Sequence, residues 1–468
     1  MGAGRVDPLR AQARVVRARG GAGRLVAALG PPGRRLLRAA RLRAGRPGFP
    51  GLQQDEPPQL LRAARPRADG RLAGTARPGR ARPIVTTSAP PSPPWSTRYR
   101  ALDSWRALAA TGVVLHHLGY AGDFDLGQHS VMVFFVISGY CVTASAESSS
   151  ARGVGFRSFM GRRLRRIYPP YLLALVFMVA VRAALTLQGR AGMFPPSPVL
   201  WIQNVTMTQW LSLLRHPQSH ASSNPSLLVT AFWSLNYEEQ FYLVFAALIA
   251  LTAALKRPLS TGVVALTVLA ALWNIALPST SYGVFVEYWF HFGVGALVFY
   301  RLCRVRHDRL RRAIDAGLAL LTSLSALVAW GPWQDRVLGE RFVYQEWFVV
   351  GAFALVLIAS RGLSDRLCRS APGRWLGALG AFSYSLYLTH QFNLRPVRAL
   401  ARMMVPEAWP DGVRGLLEVA LLFAVAKGFW YLCERPFLNR APPPADRGPP
   451  PGIASDAPSG LARREGSW

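Results

Sequence analysis

An arginine and a histidine share one apolar segment near residue 110. Arg106 and His117 are eleven residues apart, and an α-helix would place both on one face, roughly 16 Å apart along its axis. Ionisable groups inside apolar helices are costly and are therefore candidates for function. Histidine exchanges protons near neutral pH, so His117 is a candidate general base for a hydroxyl nucleophile. The alternative is that His116 and His117 only hydrogen-bond to neighbouring helices.

A second group of charges is suited to binding phosphate. Arg163 and Arg166 stand at positions i and i+3 of a basic run, Arg162-Arg163-Leu164-Arg165-Arg166, which we place in a loop. One helical turn would point both guanidinium groups the same way. Guanidinium pairs bind phosphates with bidentate geometry, and the phosphates of an acyl-coenzyme A would suit them. The alternative is a plain basic loop beside the membrane.

Two adjacent carboxylates begin another apolar segment. Glu238 and Glu239 follow Trp233 closely, and carboxylates at a helix start would simply complement the helix dipole. Their position inside apolar sequence also makes them candidates for chemistry. We take Glu239 as a further catalytic candidate, and Glu238 and Trp233 as candidate substrate contacts.

Hydroxyl groups and a histidine recur in a later apolar segment, at Tyr384, Tyr387 and His390. We interpret them as substrate contacts, although contacts between helices would explain the same residues. The four cysteines have neither metal-ligand nor disulfide spacing. The sequence therefore predicts no metal site and no bound cofactor.

The elements that would hold these residues are membrane-spanning helices. Hydrophobic residues make up 51% of the 468 residues, and they occur in blocks of roughly 17 to 25, long enough to cross a hydrocarbon core. Backbone polar groups in lipid must pair within the chain, so the blocks are predicted to be helical. The fold prediction is an all-α polytopic membrane protein with about ten transmembrane helices. The predicted spans are 103–121, 128–146, 169–187, 236–255, 260–277, 283–301, 313–331, 345–360, 375–392 and 413–433.

The loops between the predicted spans alternate in charge. Arg and Lys residues crowd the loops after spans two, four, six and eight, whereas the long loop 188–235 is polar. Short cytoplasmic loops are rich in Lys and Arg, so both termini are predicted to be cytoplasmic, in what we interpret as a bacterial inner membrane. Arg395, Arg398 and Arg402 fall on the opposite side, where their spacing predicts a short amphipathic helix on the outer surface.

Much of the net charge of +31 lies near the N-terminus, where residues 1–100 contain 21 arginines and four acidic residues. Residues 1–95 and 438–468 are rich in Pro and Gly and are predicted to be disordered tails on either side of a membrane domain at 101–437. A nucleic-acid-binding tail would fit the charge. However, residues 1–95 contain only two aromatic residues for stacking on bases, so we predict no nucleic-acid partner.

Six motifs, in order along the chain, resemble those of the acyltransferase-3 family of integral membrane O-acyltransferases. They are residues 102–110 with the Arg106-x10-His117 spacing, residues 134–140, Arg163-x-x-Arg166, Trp233-Ser234-Leu235 with residues 238–242, residues 383–390, and Glu434-Arg435-Pro436-Phe437. Together they cover nearly all of the chain outside the tails. One departure is the run Ser130-Val131-Met132-Val133, where the family commonly has Gly-Val-Asp before the paired phenylalanines.

The resemblance implies about ten spans, an acyl-coenzyme A donor that acts as a co-substrate, and a sugar, lipid-linked glycan or glycosylated small molecule as acceptor within a lipid environment. We expect the transferred group to be acetyl. In this interpretation Arg163 and Arg166 hold the donor phosphates, and Arg106 orients the donor or stabilises developing negative charge. His117 would take the proton of the attacking hydroxyl, or would itself be acylated and relay the group outward.

Some relatives of this kind carry a C-terminal hydrolase-like domain that completes transfer. About 30 residues follow Phe437 here, so transfer is expected to finish within the membrane domain or on a separate protein. The main alternative is a polytopic exporter of a glycan or small solute, but residues 101–437 show no repeat between their halves. The sequence predicts no particular oligomeric state.

Overall fold

The structure is a computed structural model that describes residues 99–121, 125–151, 156–189, 194, 197–277, 280–331, 341–406 and 408–438. The two predicted tails lie outside these ranges, apart from Leu438. Within the described ranges the chain is helical, and its only strand-like pairing is one antiparallel bridge between Gln218 and Ser281. The all-α prediction is therefore confirmed for the described part of the chain.

Fourteen α-helices follow one another along the described ranges. They are α1 (Ala101–Leu118), α2 (Leu126–Ala151), α3 (Phe156–Leu187), α4 (Pro198–Val205), α5 (Trp210–Arg215), α6 (Trp233–Ala254), α7 (Leu259–Ala276), α8 (Val286–Cys303), α9 (Asp308–Trp330), α10 (Arg341–Ser360), α11 (Ser364–Arg369), α12 (Ala371–Gly380), α13 (Ser383–Met404) and α14 (Asp411–Phe429). Two 3₁₀ turns, Ala221–Ser223 and Thr230–Phe232, precede α6. A π-helical turn, Trp430–Glu434, and a 3₁₀ turn, Arg435–Phe437, follow α14.

Six of the described helices are long and apolar enough to cross a membrane: α2, α3, α7, α9, α10 and α14. Helices α1, α6 and α8 coincide with three further predicted spans and contain charged residues, which lower their mean hydropathy. Six apolar helices fit a polytopic membrane protein. The count of about ten spans stays a prediction.

The ninth predicted span, residues 375–392, is not one helix. Helix α12 ends at Gly380 and α13 begins at Ser383. Helix α13 then continues to Met404 and contains all three arginines that the sequence placed on a separate surface helix. The basic run at 162–166 also differs from the prediction, because it lies inside α3 and not in a loop.

A distant carboxylate stabilises the start of α13. Glu434, which is 2% exposed, accepts hydrogen bonds from the backbone nitrogen of Ser385 at 3.1 Å and from its hydroxyl at 2.5 Å. The first N–H groups of a helix have no partner within the helix, and a negative charge there is favourable. The closing Glu-Arg-Pro-Phe motif thus acts on the helix that carries Tyr384, Tyr387 and His390.

Helices α2 and α8 approach each other with almost no space between their backbones. A Cβ atom on Gly139 would lie 1.9 Å from the carbonyl oxygen of Phe292, and one on Gly295 would lie 1.9 Å from that of Val136. Small residues permit this close approach between helices in a membrane. The glycine of the Phe-Phe-Val-Ile-Ser-Gly-Tyr motif therefore sets the distance between α2 and α8.

Candidate active site

Three arginines from two helices meet in one cleft, which we call the arginine cleft. Arg106 comes from α1, and Arg163 and Arg166 come from α3. The cleft encloses about 800 Å³. Its lining residues are Arg106, Val131, Phe134, Phe135, Ile137, Ser138, Cys141, Arg163, Arg166, Ile167, Ser234, Leu235, Glu238, Tyr242, Ser383, Tyr384 and Tyr387. The cleft thus combines a basic end with largely apolar walls.

The three guanidinium groups differ in what holds them. Arg106 donates to Asp103 at 2.8 Å and to the sulfur of Cys141 at 3.1 Å. Arg163 donates to the carbonyl oxygen of Cys141 at 3.2 Å. Within the described part of the chain Arg166 donates no hydrogen bond and forms no ion pair. Arg166 is therefore the arginine of this cleft with the most unused hydrogen-bonding capacity.

One carboxylate faces the three arginines in this cleft. Glu238 accepts a hydrogen bond from the hydroxyl of Tyr242 at 2.5 Å and one from Ser138 at 3.3 Å. The guanidinium of Arg163 lies 5.7 Å from the centroid of the Tyr242 ring. Tyr242 therefore connects the carboxylate to an arginine and fixes the positions of both.

A second cleft, the histidine cleft, contains His117. It encloses about 560 Å³ and is lined by Val113, His116, His117, Asp125, Gly127, Gln128, Val131, Ser222, Thr230, Ala231, Trp233 and Tyr387. His117 lies in the last turn of α1, which ends at Gly119 with a left-handed backbone (φ 87°). Nδ1 of His117 lies 2.9 Å from the carbonyl oxygen of Val113. A carbonyl only accepts, so Nδ1 carries the proton and neutral Nε2 keeps its lone pair.

His390 lies against His117. The two ring centroids are 4.9 Å apart and the rings meet edge to face. His390 is fully buried, with Nδ1 at 2.9 Å from the carbonyl oxygen of Tyr387, and its Nε2 has no hydrogen-bond partner among the described groups. His390 lines neither cleft, so its contact with either substrate would pass through His117.

The two clefts meet at Val131 and Tyr387, which line both. The Tyr387 hydroxyl lies 2.7 Å from the hydroxyl of Ser234 and also donates to the carbonyl oxygen of Ala231. Tyr387 therefore stands between the arginines and His117. Val131 and Tyr387 are thus the side chains that separate the two clefts.

Most of the residues that the sequence selects come together here, with two differences. Glu239 does not line either cleft, and it accepts a hydrogen bond from Tyr168 on α3. Its neighbour Glu238 is the carboxylate that faces the arginines. His116 shares the histidine cleft with His117, and its Nδ1 lies 3.6 Å from Asp125. Both adjacent histidines of α1 therefore border the site.

Other residues near the site escaped the sequence analysis. Gln128 lies in the histidine cleft and donates to buried Glu346 at 2.7 Å. Glu346 lies 3.3 Å from His291, which is also buried. The criterion that selected Arg106 and His117, an ionisable residue inside an apolar segment, would also have selected Glu346 and His291.

The described residues contain no group of three His, Cys, Asp or Glu side chains arranged to hold a metal ion. The four cysteines, all of them described, form no disulfide with one another. The polar groups that line the two clefts are arginine, histidine, carboxylate, amide and hydroxyl groups.

Helices suited to a membrane, with half-buried arginines and histidines in two adjoining clefts, are typical of a membrane-embedded enzyme. A family model described as an acyltransferase domain matches residues 99–435. The chain belongs to the acyltransferase-3 family and is an integral membrane acyltransferase for groups other than aminoacyl groups.

Several curated proteins are similar to the chain. Exopolysaccharide production protein ExoZ of Rhizobium meliloti is 29% identical over 327 residues, which are 68% of this chain and 91% of ExoZ. BcsY of Komagataeibacter xylinus is 29% identical over 392 residues, 78% of this chain and 89% of BcsY. Peptidoglycan O-acetyltransferase OatA of Listeria monocytogenes is 24% identical over 373 residues, 73% of this chain and 57% of OatA. No solved structure matches the chain.

Proposed function

We propose that this protein transfers an acetyl group from acetyl-coenzyme A, bound from the cytoplasm, to a hydroxyl of a carbohydrate on the outer side of a bacterial inner membrane. The observation that carries the proposal is the adjoining pair of clefts. One cleft holds Arg106, Arg163 and Arg166, and the other holds His117. Tyr387 lines both.

The arginine cleft is suited to the donor. Coenzyme A carries several phosphates at one end and a thioester at the end of a long flexible arm. Arginines bind phosphates strongly, and the largely apolar walls beyond them suit the arm. Phosphates held at Arg163 and Arg166 would direct the thioester past Tyr387 toward His117.

The histidine cleft is suited to the hydroxyl acceptor. Nε2 of His117 takes the proton of the acceptor hydroxyl as the oxygen bonds to the thioester carbonyl carbon. The carbon–sulfur bond then breaks, and the coenzyme A thiolate takes the proton back from the imidazolium. The products are an ester and a free thiol, and His117 returns to its neutral form.

The names of the relatives support a carbohydrate acceptor and an acetyl group. ExoZ is named for exopolysaccharide production, and OatA for O-acetylation of peptidoglycan. Acylation of His117 itself would give the same products in two steps. An acyl group recovered on a His117 peptide by mass spectrometry, after incubation with donor alone, would identify the two-step route.

The experiment replaces the candidate base and keeps a matched histidine as control. The full chain in lipid nanodiscs is given labelled acetyl-coenzyme A and glycan fragments prepared from exopolysaccharide and from peptidoglycan. His117→Gln should lower transfer by ~10²–10⁴-fold, the usual contribution of a general base. His216→Gln, at an exposed histidine that lines neither cleft, should keep the wild-type rate. Equal rates for the two variants would refute the role of His117.

A further inference from the structure

A third cavity lies beside the histidine cleft, and we call it the glutamate cavity. It encloses about 530 Å³ where the end of α7, the starts of α8 and α10, and the loop before α6 meet. Its lining residues are Ser219, His220, Asn274, Leu277, Thr280, Ser281, Glu287, Tyr288, His291, Val343, Glu346 and Trp347. Two backbone hydrogen bonds between Gln218 and Ser281, at 3.2 and 2.7 Å, hold its two loops together. The cavity is therefore a defined feature with mostly polar walls.

Both oxygens of one of its two carboxylates, that of Glu287, already accept hydrogen bonds within the protein. Glu287 accepts hydrogen bonds from the hydroxyls of Tyr237 at 2.6 Å and Ser281 at 2.7 Å. Its other oxygen accepts from the backbone nitrogens of Tyr282 at 2.7 Å and Val284 at 3.2 Å. Glu287 thus fixes the loop before α8 and has little capacity left for a ligand.

The other carboxylate has remaining capacity. Glu346 is 5% exposed and accepts one hydrogen bond, from Gln128 at 2.7 Å. Its second oxygen lies 3.3 Å from Nε2 of His291. A carboxylate offers about four acceptor sites, so Glu346 can accept further hydrogen bonds from a ligand in the cavity.

Two buried side chains on the wall have unsatisfied polar atoms. Nδ2 of Asn274 and Nδ1 of His291 make no hydrogen bond with any described group, although the residues are only 9% and 1% exposed, and Nε2 of His291 has only the Glu346 carboxylate beside it. Buried polar groups are nearly always hydrogen-bonded, so these atoms call for a partner inside the cavity. Asn274 needs an acceptor, whereas Glu346 needs a donor.

A hydroxyl group meets both needs at once, because it donates and accepts. A simple cation would satisfy the carboxylate and leave the amide nitrogen of Asn274 unpaired. An acyl chain would leave the amide nitrogen of Asn274 and the remaining acceptor capacity of Glu346 unused. A ligand with several hydroxyls, such as a sugar ring, matches this mixture of donors and acceptors.

Gln128 connects this cavity to the histidine cleft. Its side chain lines the histidine cleft, and its amide donates to Glu346 on the wall of the glutamate cavity and lies 3.5 Å from the hydroxyl of Tyr288. A sugar in the glutamate cavity would therefore lie next to a sugar whose hydroxyl reaches His117.

We propose that the glutamate cavity binds a second sugar ring of the acceptor, beside the ring that is acylated. The proposal rests on the proposed function for its statement that the acylated ring lies in the histidine cleft. Binding of the second ring can be measured without turnover. It assigns Asn274, His291 and Glu346 as specificity residues that favour oligosaccharide acceptors over monosaccharides.

The test compares two isosteric changes on the same helix. Asn274→Leu removes the unpaired amide, whereas Thr267→Val removes a buried hydroxyl of α7 that bonds only the Val263 carbonyl and lines no described cavity. Binding of a tetrasaccharide from peptidoglycan, and of its constituent monosaccharides, is measured by calorimetry on the full chain in nanodiscs. Asn274→Leu should weaken tetrasaccharide binding about tenfold, the effect of one lost hydrogen bond. Monosaccharide and acetyl-coenzyme A affinities should not change.

Several outcomes would overturn the proposal. They are unchanged tetrasaccharide affinity in Asn274→Leu, an equal loss in Thr267→Val, and no tetrasaccharide binding by the wild-type protein. If Asn274→Leu does not fold, Glu346→Gln takes its place with the same expected loss. Normal tetrasaccharide binding by a wild-type protein that transfers no acetyl group would refute the proposed function and leave this cavity assignment standing.

Discussion

Arg166 differs from the other two arginines of the arginine cleft because its guanidinium group forms no hydrogen bond or ion pair with any described residue, although the Glu434 carboxylate is near enough to interact with it electrostatically. Arg106 and Arg163 are each held by Cys141, so part of their capacity supports the fold. A guanidinium that lines a largely apolar cleft and donates no hydrogen bond to the described chain is the group there most able to bind a phosphate. The loss of Arg166 should therefore affect donor binding more than stability.

Arg166→Ala should raise KM for acetyl-coenzyme A by about ten- to a hundredfold, with a smaller effect on kcat, because a charge-assisted hydrogen bond contributes about 1.5–3 kcal/mol. Steady-state kinetics with varied donor concentration measures the change. Arg165→Ala is the matched control, since Arg165 is an exposed neighbour that does not line the cleft. An unchanged KM in Arg166→Ala would exclude a phosphate contact at this position.

The sequence identifies most of these side chains because ionisable groups are rare in apolar helices. It does not separate Glu238 from Glu239. Adjacent positions on a helix differ by 100°, and only the neighbours decide which one faces a cleft. The neighbours are Tyr242, one turn along the same helix, and Tyr168 on another helix. The second contact joins distant parts of the chain, so no local pattern reveals it.

Among the elements, α13 depends most visibly on a contact far along the chain. Its start is stabilised by Glu434, 49 residues from Ser385. The apolar pattern of 375–392 continues through the interruption at Ala381 and Phe382, so the sequence predicts one span where the structure has two helices. The first turn of α13 is stabilised by a carboxylate that periodicity cannot detect.

Glu434→Ala should destabilise the protein by about 1–3 kcal/mol, because it leaves the buried N–H and hydroxyl of Ser385 without their acceptor. Thermal unfolding in detergent, followed by size-exclusion chromatography, measures the effect. Asp411→Ala removes an exposed acidic residue from the start of α14 and should change the melting temperature far less. A larger loss in Asp411→Ala than in Glu434→Ala would contradict the role assigned to Glu434.

At the scale of the whole molecule, the alternation of basic and polar loops predicts how the chain crosses the membrane. If the arginine cleft faces the cytoplasm, the loops that border the glutamate cavity face outside. Reporters fused after Arg312 and after Arg374 should then be cytoplasmic, and one inserted near Ser219 should be external. Alkaline phosphatase and green fluorescent protein fusions distinguish the two sides. An external reporter at Arg312 would refute the ten-span topology.

The distribution of charged residues among the loops can be read directly from the sequence, so the sequence predicts the orientation in the membrane. The cavities depend on contacts between distant segments, which the sequence does not predict. The glutamate cavity joins residues from four separate segments, and the Gln128 contact that links it to the histidine cleft comes from α2, which packs closely against α8. That approach requires glycine at residues 139 and 295. The positions of these glycines are visible in the sequence, but the partner that each one faces is not.

The position of the Tyr387 side chain bears on how well the membrane retains its proton gradient. A continuous column of water through a membrane protein conducts protons, and a closed site prevents such leakage. The Tyr387 side chain stands where the two clefts meet, and Ser234 and Ala231 hold its hydroxyl in place. If an acyl group passes between the two clefts as proposed, this tyrosine would keep water in one cleft apart from water in the other and so would limit proton leakage. Tyr387→Ala should then slow growth by dissipating membrane potential, even in cells that have no need of the acylated glycan.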